Sequence, residues 1–394
     1  GASGYPMSQW DKDDVESVGL LKLDILGVRM QSAMAHALHE IKRVDKKSIP
    51  LDEVALDDAK TFTLIRSTKT LGVFQIESPG QRELIGKFAP EVFNDLIIDI
   101  SLFRPGPVKS DMITPFLNAR QGWRAPRLIH PSLYEILVET EGVVVFHEQV
   151  IRIIATIAGI SLAQAESYRR LLNDPEGSVE FYPWFAERAS ERGYSADVIN
   201  EVNDVLRAFA SFGFCKAHAA AFALPTYQSA WLKSHYPAHF LAGLLTHDPG
   251  MYPKRLLLDE ARQLGVALLP LSINSSANEY QVEKISDGYG IRLALSDISG
   301  INEKEITEII SGRPFIDLAD FVYRARISQP IVENLILLGA FDDWLNARTG
   351  DGISARQKLL WQTGVAIISA IYLQQHFAFN SLVVPFVGEV PIAP

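Results

Sequence analysis

Within LLKLDIL (20–26) a lysine and an aspartate stand two residues apart in a short apolar run that Gly27 ends. Such a run reads as a buried strand. Side chains alternate across a strand, so Lys22 and Asp24 share one face while Leu21, Leu23 and Ile25 take the other. A lone carboxylate on a core strand is costly unless it is paired, protonated or bound to a metal. Magnesium takes hard oxygen ligands, and two-metal phosphoryl transfer uses carboxylates projected from a sheet edge, where a nearby lysine could hold a phosphate. The other reading is a Lys–Asp pair at a strand end, and spacing alone leaves both open. Basic residues also group: Arg104 with Lys109; Arg120, Arg124 and Arg127; Arg169 with Arg170; Lys216 with His218. Each group could be solvated surface or a phosphate contact. His147-Glu148 would suggest zinc only with a second histidine at the right offset, and position 151 is Ile. Cys215 is expected to pack as a small apolar residue at a helix start.

The elements that would position these residues are mostly helical. Met30, Met34, Leu38 and Ile41 recur at helical spacing behind the 20–26 strand. From about 53 to 245 the pattern is helical, with strand-like pieces at TLGVFQI (70–76) and GVVVF (142–146). Ser161 with Gln164 is a capping-box signature, and Ser195 suits the N-cap of a helix that Gly213 ends. Pro225 should kink or break its helix, whereas Pro237 suits a first turn. Residues 266–295 shift to short strands, and a helix–turn–helix pattern runs from about 297 to 341. The fold class is mainly α with small β elements: a large helical insert behind a strand–helix edge, with small modules appended.

Hydrophobic content of 47% and charged content of 21% fit an ordered chain. One cysteine excludes a disulfide framework and suits a reducing cytoplasm. GASGYPMSQW lacks the features of a signal peptide, and polar residues interrupt the low-charge stretch 365–394. The net charge of −10 argues mildly against nucleic acid. Local groups can outvote it, because screening confines each charge to roughly 8–10 Å. A metabolic α/β enzyme would show a Gly-rich phosphate loop, and none is present.

GLLKLDILGVR (19–29) resembles the C-family DNA polymerase segment that carries the third catalytic aspartate of the palm. Further matches follow in that family's order: GVFQIES (72–78), SLFRPGPV (101–108), VVFHEQVIRIIATIAG (144–159), YRRLLND (168–174), FGFCKAHAAAFALPTYQSAWLKSHYPAHFLAGLL (212–245) and LPLSIN (269–274). The ordered set covers roughly residues 10–345 and is similar to the alpha subunit of bacterial DNA polymerase III, as an internal fragment. The resemblance implies a layout of palm segment (1–30), fingers (31–250), connecting α/β segment (251–296), tandem helix-hairpin-helix (297–345) and divergent tail (346–394). It implies that Asp24 binds magnesium and that Lys22 lies by the primer terminus or the incoming phosphates. The family's other two carboxylates sit in an upstream Asp-x-Asp strand. Asp11-Lys12-Asp13 matches the segment leading into the third aspartate, not that strand.

The family's fingers offer cations to the nucleotide triphosphate, here Arg104, Arg169, Arg170, Lys216 and His218. Where the family often adds basic residues after its arginine pair, this chain has Asn173-Asp174-Pro175-Glu176. At least Arg169 or Arg170 and Lys216 are expected to line one concavity facing the Asp24 edge, unpaired or loosely paired. LSDISGINEKEITEIISG (295–312) resembles a helix-hairpin-helix element whose Gly300 turn, with Ile301 and Lys304, would meet DNA phosphate. Residues 317–344 look like its degenerate partner. The implied function is template-directed DNA synthesis on primer-template DNA with dNTP and Mg2+. The alternative is a non-catalytic DNA-binding or positioning module, inactive as an isolated chain. A sliding clamp and other replisome subunits are further implied partners, although SLVVPF (381–386) has Ser381 where a clamp peptide usually begins with Gln. Both a replicative and an error-prone parent stay open.

Overall fold

The computed structural model describes residues 4, 6, 8–11, 14–21, 27–103, 112–172, 175–210, 214–342, 381–384 and 388–391. It divides into two units: Gly1–Leu268 with Tyr280–Ile291, and Leu269–Glu279 with Arg292–Pro394.

In the first unit, a short turn α1 (Asp14–Ser17) precedes α2 (Val28–Asp45), which buries Met30, Met34 and Ile41 of the expected face together with Ala33 and Ala37 and leaves Leu38 half-buried. α2 packs along α13 (Pro237–His247), so closely that a Cβ on Gly243 would run into the Ala33 carbonyl. A first core joins α3 (Ala59–Arg66), α4 (Pro79–Phe88), α5 (Phe93–Leu102), α6 (Ile113–Arg120) and α12 (Lys216–His235) around Phe62, Phe88, Phe116, Phe146 and Tyr227. A second core joins α7 (Tyr134–Leu137), α8 (His147–Ala158), α9 (Leu162–Leu171), α10 (Pro175–Glu191) and α11 (Ala196–Ala210) around Ile153, Ile154, Phe181, Phe185 and Phe209. Ser161 and Gln164 form the expected capping box, Ser195 Oγ accepts from Val198 N, and Pro237 opens α13. α14 (Lys254–Gln263) leads to β1 (Ala267–Leu269), β2 (Gln281–Ile285) and β3 (Gly288–Arg292), in sheet order β1-β3-β2.

Two expectations are corrected. α12 runs unbroken through Pro225, its buried face held by Ala219, Ala223, Tyr227 and Ala230 packed against α5. Tertiary packing there outweighs the missing ladder bond. Neither apolar piece is a strand. TLGVFQI folds into tight turns, with positive φ at Gly72 and Gln75 and Thr70 Oγ1 donating to the Ile76 carbonyl at 2.6 Å. In GVVVF the Gln149 side chain takes the N–H groups of Val145 and Phe146 (2.7 and 3.0 Å) that a ladder would use. Only an isolated parallel bridge, Phe146 to Phe214, is formed. Of the expected 20–26 strand only Leu20 and Leu21 are described, 51% and 83% exposed, and residues 22–26 lie outside the described residues.

In the second unit, α15 (Glu303–Ser311), α16 (Leu318–Ala325) and α17 (Gln329–Leu337) enclose a core of Ile298, Ile306, Ile309, Phe321, Ile331 and Leu335. β4 (Ser381–Val384) pairs antiparallel with β5 (Gly388–Pro391), Ser381 opposite Pro391 and Val384 opposite Gly388. Among the described residues no single helix is long and apolar enough to cross a membrane.

Candidate functional site

Arg169 and Arg170 close α9, three and four residues after Glu166 on the same face. Arg169 donates from Nε and Nη2 to the two Glu166 oxygens at 2.7 and 2.9 Å, and Arg170 Nε donates to Oε1 at 2.9 Å. The hydrogen bonds from Arg169 outweigh partial burial and, with those from Arg170, hold the Glu166 carboxyl down to about 2. A third donor of Arg169, Nη1, meets His147 Nδ1 at 2.8 Å.

His147 opens α8, and its N–H donates to the Phe214 carbonyl at 2.9 Å, beside the Phe146–Phe214 bridge. That junction brings the start of α8 to the start of α12. Glu148 then accepts the Lys216 backbone N–H on both oxygens at 3.0 Å, with Cys215 Sγ 3.4 Å from one of them. A carboxylate here satisfies a first-turn donor and complements the positive end of the helix dipole. Cys215 is thus exposed at the N-cap of α12, not packed as expected. Lys216 Nζ sits 5.4 Å over the Phe146 ring and pairs with Glu139 at 2.5 Å. Arg169 and Lys216 therefore come together through the adjacent residues His147 and Glu148, and the Glu148 charge, after the dominant Glu166 bond, helps to raise the Arg169 pKa.

The pairing is tighter than expected. Arg169 and Arg170 share Glu166, whose side chain is 31% exposed, and Lys216 holds Glu139. The spacing Glu166-x-x-Arg169-Arg170 is the signal that foretells it. Two cavities, of about 480 and 270 Å³, lie elsewhere; neither is lined by Arg169, Arg170 or Lys216. In the Arg120 group, Arg120 meets the buried Asp95 at 2.9 Å, whereas Arg127 and Glu201 form an exposed surface pair at 2.7 Å.

His218 is exposed and edge-on to Phe214 (5.2 Å) and Phe222 (4.6 Å). Phe222 stacks on Phe74 at 5.9 Å, and a Cβ on Gly27 (φ +73°) would stand 3.0 Å from the Phe74 ring. This aromatic row leads from the start of α12 to the residue that ends the 20–26 stretch. Lys22, Asp24 and Arg104 lie outside the described residues, as do Lys109 and Asp13. Among the described residues no three His, Cys, Asp or Glu side chains come together in a group that could hold a metal.

Residues 30–193 match the family of the bacterial DNA polymerase III alpha subunit finger domain, and residues 265–350 match the helix-hairpin-helix motif. Over 357 residues the chain is 36% identical to the DNA polymerase III subunit alpha of Vibrio cholerae, covering 86% of this chain and 30% of that protein. The subunit alpha of Escherichia coli K12 matches to the same extent. An error-prone DNA polymerase of Symbiobacterium thermophilum is 36% identical over 369 residues, 86% of this chain and 34% of that protein. The chain belongs to the bacterial DNA polymerase III alpha-subunit family. It spans 30–34% of the length of these relatives.

The finger-domain match of the alpha-subunit family takes in His147, Glu148, Arg169 and Arg170 and stops before Lys216 and His218. Sequence reading considered His147 and Glu148 only for zinc and so missed what they hold; a histidine and an acid opening an amphipathic helix were the available signal. In the helix-hairpin-helix match, Gly300 has φ +84° and Ile301 N bonds back to the Ile298 carbonyl at 3.2 Å. Asn302 and Glu305 cap α15 reciprocally, and Glu305 also accepts from Ser328 N and Oγ at 3.0 and 2.6 Å, joining two turns. The capping box engages the N–H groups of Asn302 and Glu305, so the first-turn donors it does not use are those of Glu303 and Lys304. Lys304 is exposed beside them.

Proposed function

We propose that this chain supplies the nucleotide-binding fingers and a duplex-contacting module of a DNA-directed DNA polymerase. Arg169, Arg170 and Lys216 bind the triphosphate of an incoming dNTP, with His218 and Arg104 assisting. Gly300, Ile301 and Lys304 hold phosphates of primer-template DNA. Asp24 is the magnesium ligand and Lys22 its neighbour on the reactive face. In the whole enzyme the primer 3′-hydroxyl attacks the α-phosphate of the dNTP, in the cytoplasm. The layout is palm segment 1–30, fingers 31–250, connecting segment 251–296, helix-hairpin-helix 297–345 and tail 346–394. Alone, the chain is a binding and positioning module without synthesis; sliding-clamp and replisome contacts belong to the whole enzyme.

One observation supports this reading: Arg169 and Lys216, from segments about 46 residues apart, are linked through the adjacent residues His147 and Glu148, the first at the Arg169 guanidinium and the second at the Lys216 backbone N–H, although helix geometry does not require it. A triphosphate packs several negative charges into a short span and is held by cations converging from more than one element. Glu166 and Glu139 already occupy these cations with carboxylate oxygens, the same acceptor chemistry that phosphate offers. Calorimetric titration of the chain with dATP tests it. Arg169→Ala and Lys216→Ala should each weaken binding about tenfold or more, the value of a charge-assisted hydrogen bond, while deoxyadenosine binding stays unchanged. Equal dATP affinity in wild type and both variants would return the cluster to surface ion pairing.

A further inference from the structure

We infer that His147 is a positioning residue for Arg169: a neutral acceptor that holds the guanidinium in place without offsetting its charge. The inference rests on the triphosphate reading above. Arg169 has five N–H donors in a planar fork. Glu166 takes Nε and one donor of Nη2, and His147 Nδ1 takes one of Nη1. Two donors, one on each terminal nitrogen, are then left without a partner among the described residues.

The two acceptors differ in kind. Glu166 brings a full negative charge, shared with Arg170, so the three side chains together carry a net charge of +1. His147 brings none. A nitrogen that accepts from a guanidinium keeps its lone pair, which puts the imidazole proton on Nε2 and leaves the ring neutral. Phosphate competes with Glu166 for Arg169, because both are anionic and both suit the planar fork. It does not compete in that way with His147. When Glu166 yields, His147 still restrains the guanidinium, so less freedom is lost on binding.

The backbone fits such a role. His147 is the first residue of α8, its N–H is bonded to the Phe214 carbonyl, and the next residue, Glu148, caps the helix that carries Lys216. The backbone that carries the imidazole is thereby fixed relative to the start of the helix that carries Lys216. Nothing in a zinc or general-base role requires Nδ1 to face a guanidinium.

The test uses the full chain, dATP as probe and four proteins: wild type, Arg169→Ala, His147→Ala and His147→Asn. Asparagine places Oδ1 one bond from Cγ, as histidine places Nδ1, and so restores a neutral acceptor. His147→Ala should weaken dATP binding about tenfold, the low end for the loss of one hydrogen bond to a charged group. His147→Asn should return it to within about twofold, and thermal unfolding of all four should be alike. If Arg169→Ala weakens binding while His147→Ala does not, the positioning role is wrong and the triphosphate reading stands. Equal weakening by the alanine and asparagine variants also removes the positioning role. A wild-type chain that takes up no dATP removes both.

Discussion

Glu166 is shared by two arginines because a carboxylate three and four residues ahead of them lies within reach of both, and that arrangement sets how much positive charge the corner can offer. In Glu166→Gln the triad goes from one net positive charge to two. An amide can still accept one hydrogen bond but no longer competes as an anion. The affinity for dATP should therefore rise several-fold at low salt, with a steeper salt dependence, since counterion effects scale with the charge that meets phosphate. A fall in affinity would mean that Glu166 organises the arginines more than it competes for them. The same variant has a pH signature. The folded-state carboxyl is held near 2 against an ordinary 4.5. Its contribution to stability is thus complete above about 4.5 and lost as pH falls through 2. Wild type should lose stability across that window more steeply than Glu166→Gln, as followed by acid unfolding. Glu166 was legible in the sequence from helix spacing alone. The contact of His147 with Arg169 was not, because that partner comes from 22 residues further on.

The two misread segments show where periodicity stops being informative at the scale of elements. TLGVFQI and GVVVF are apolar enough for strands, yet side chains from other elements satisfy their backbone groups. Lys233, on α12, is the clearest case: its side chain is fully buried. Its Nζ donates to the Lys69 and Leu71 carbonyls at 2.8 and 2.7 Å and to Glu260 at 2.7 Å. Burial lowers its pKa, opposed by the charge of Glu260. No sequence pattern announces a lysine that acts as core scaffolding, and its local apolar neighbours suggest only a helix. In Lys233→Ala two carbonyls and a carboxylate lose their partner at once. The expected cost is about 3–5 kcal/mol, the usual penalty for breaking a buried charge pair. Urea unfolding of the two proteins measures it, and a difference under about 1 kcal/mol would show that water replaces the ammonium. The loop it holds carries Phe74, which meets Gly27, so loosening it should also disturb the aromatic row toward the 20–26 stretch. Helix caps, by contrast, read correctly at Ser161, Ser195 and Pro237, because a cap is decided within four residues.

At the scale of the molecule, bulk charge says little about local grouping. A net charge of −10 coexists with two arginines that share Glu166 and a lysine that pairs with Glu139, since carboxylates are distributed to pair with individual cations. The order of family motifs along the chain carried the family assignment, and both family matches agree with it. What order cannot give is the geometry of Asp24, which lies outside the described residues. The proposal for that residue is tested by chemistry. Two-metal phosphoryl transfer relies on several carboxylates converging on the reacting phosphate. This chain brings Asp24 and has one nearby Asp-x-Asp, Asp11-Lys12-Asp13. Asp11 there is exposed, and its Oδ1 accepts from Asp14 N at 2.9 Å in a local turn. The purified chain should accordingly show no magnesium-dependent extension of a labelled primer, while a polymerase that joins it to a palm bearing an Asp-x-Asp strand should. In that joined enzyme Asp24→Asn, which removes a charge and keeps the shape, should lower kcat about a hundredfold to a thousandfold, the scale of losing a key electrostatic stabiliser. Binding to primer-template should stay nearly unchanged. Near-normal turnover in the asparagine variant would return Asp24 to a Lys22 pair at a strand end, and extension by the purified chain alone would show that its own residues complete the site.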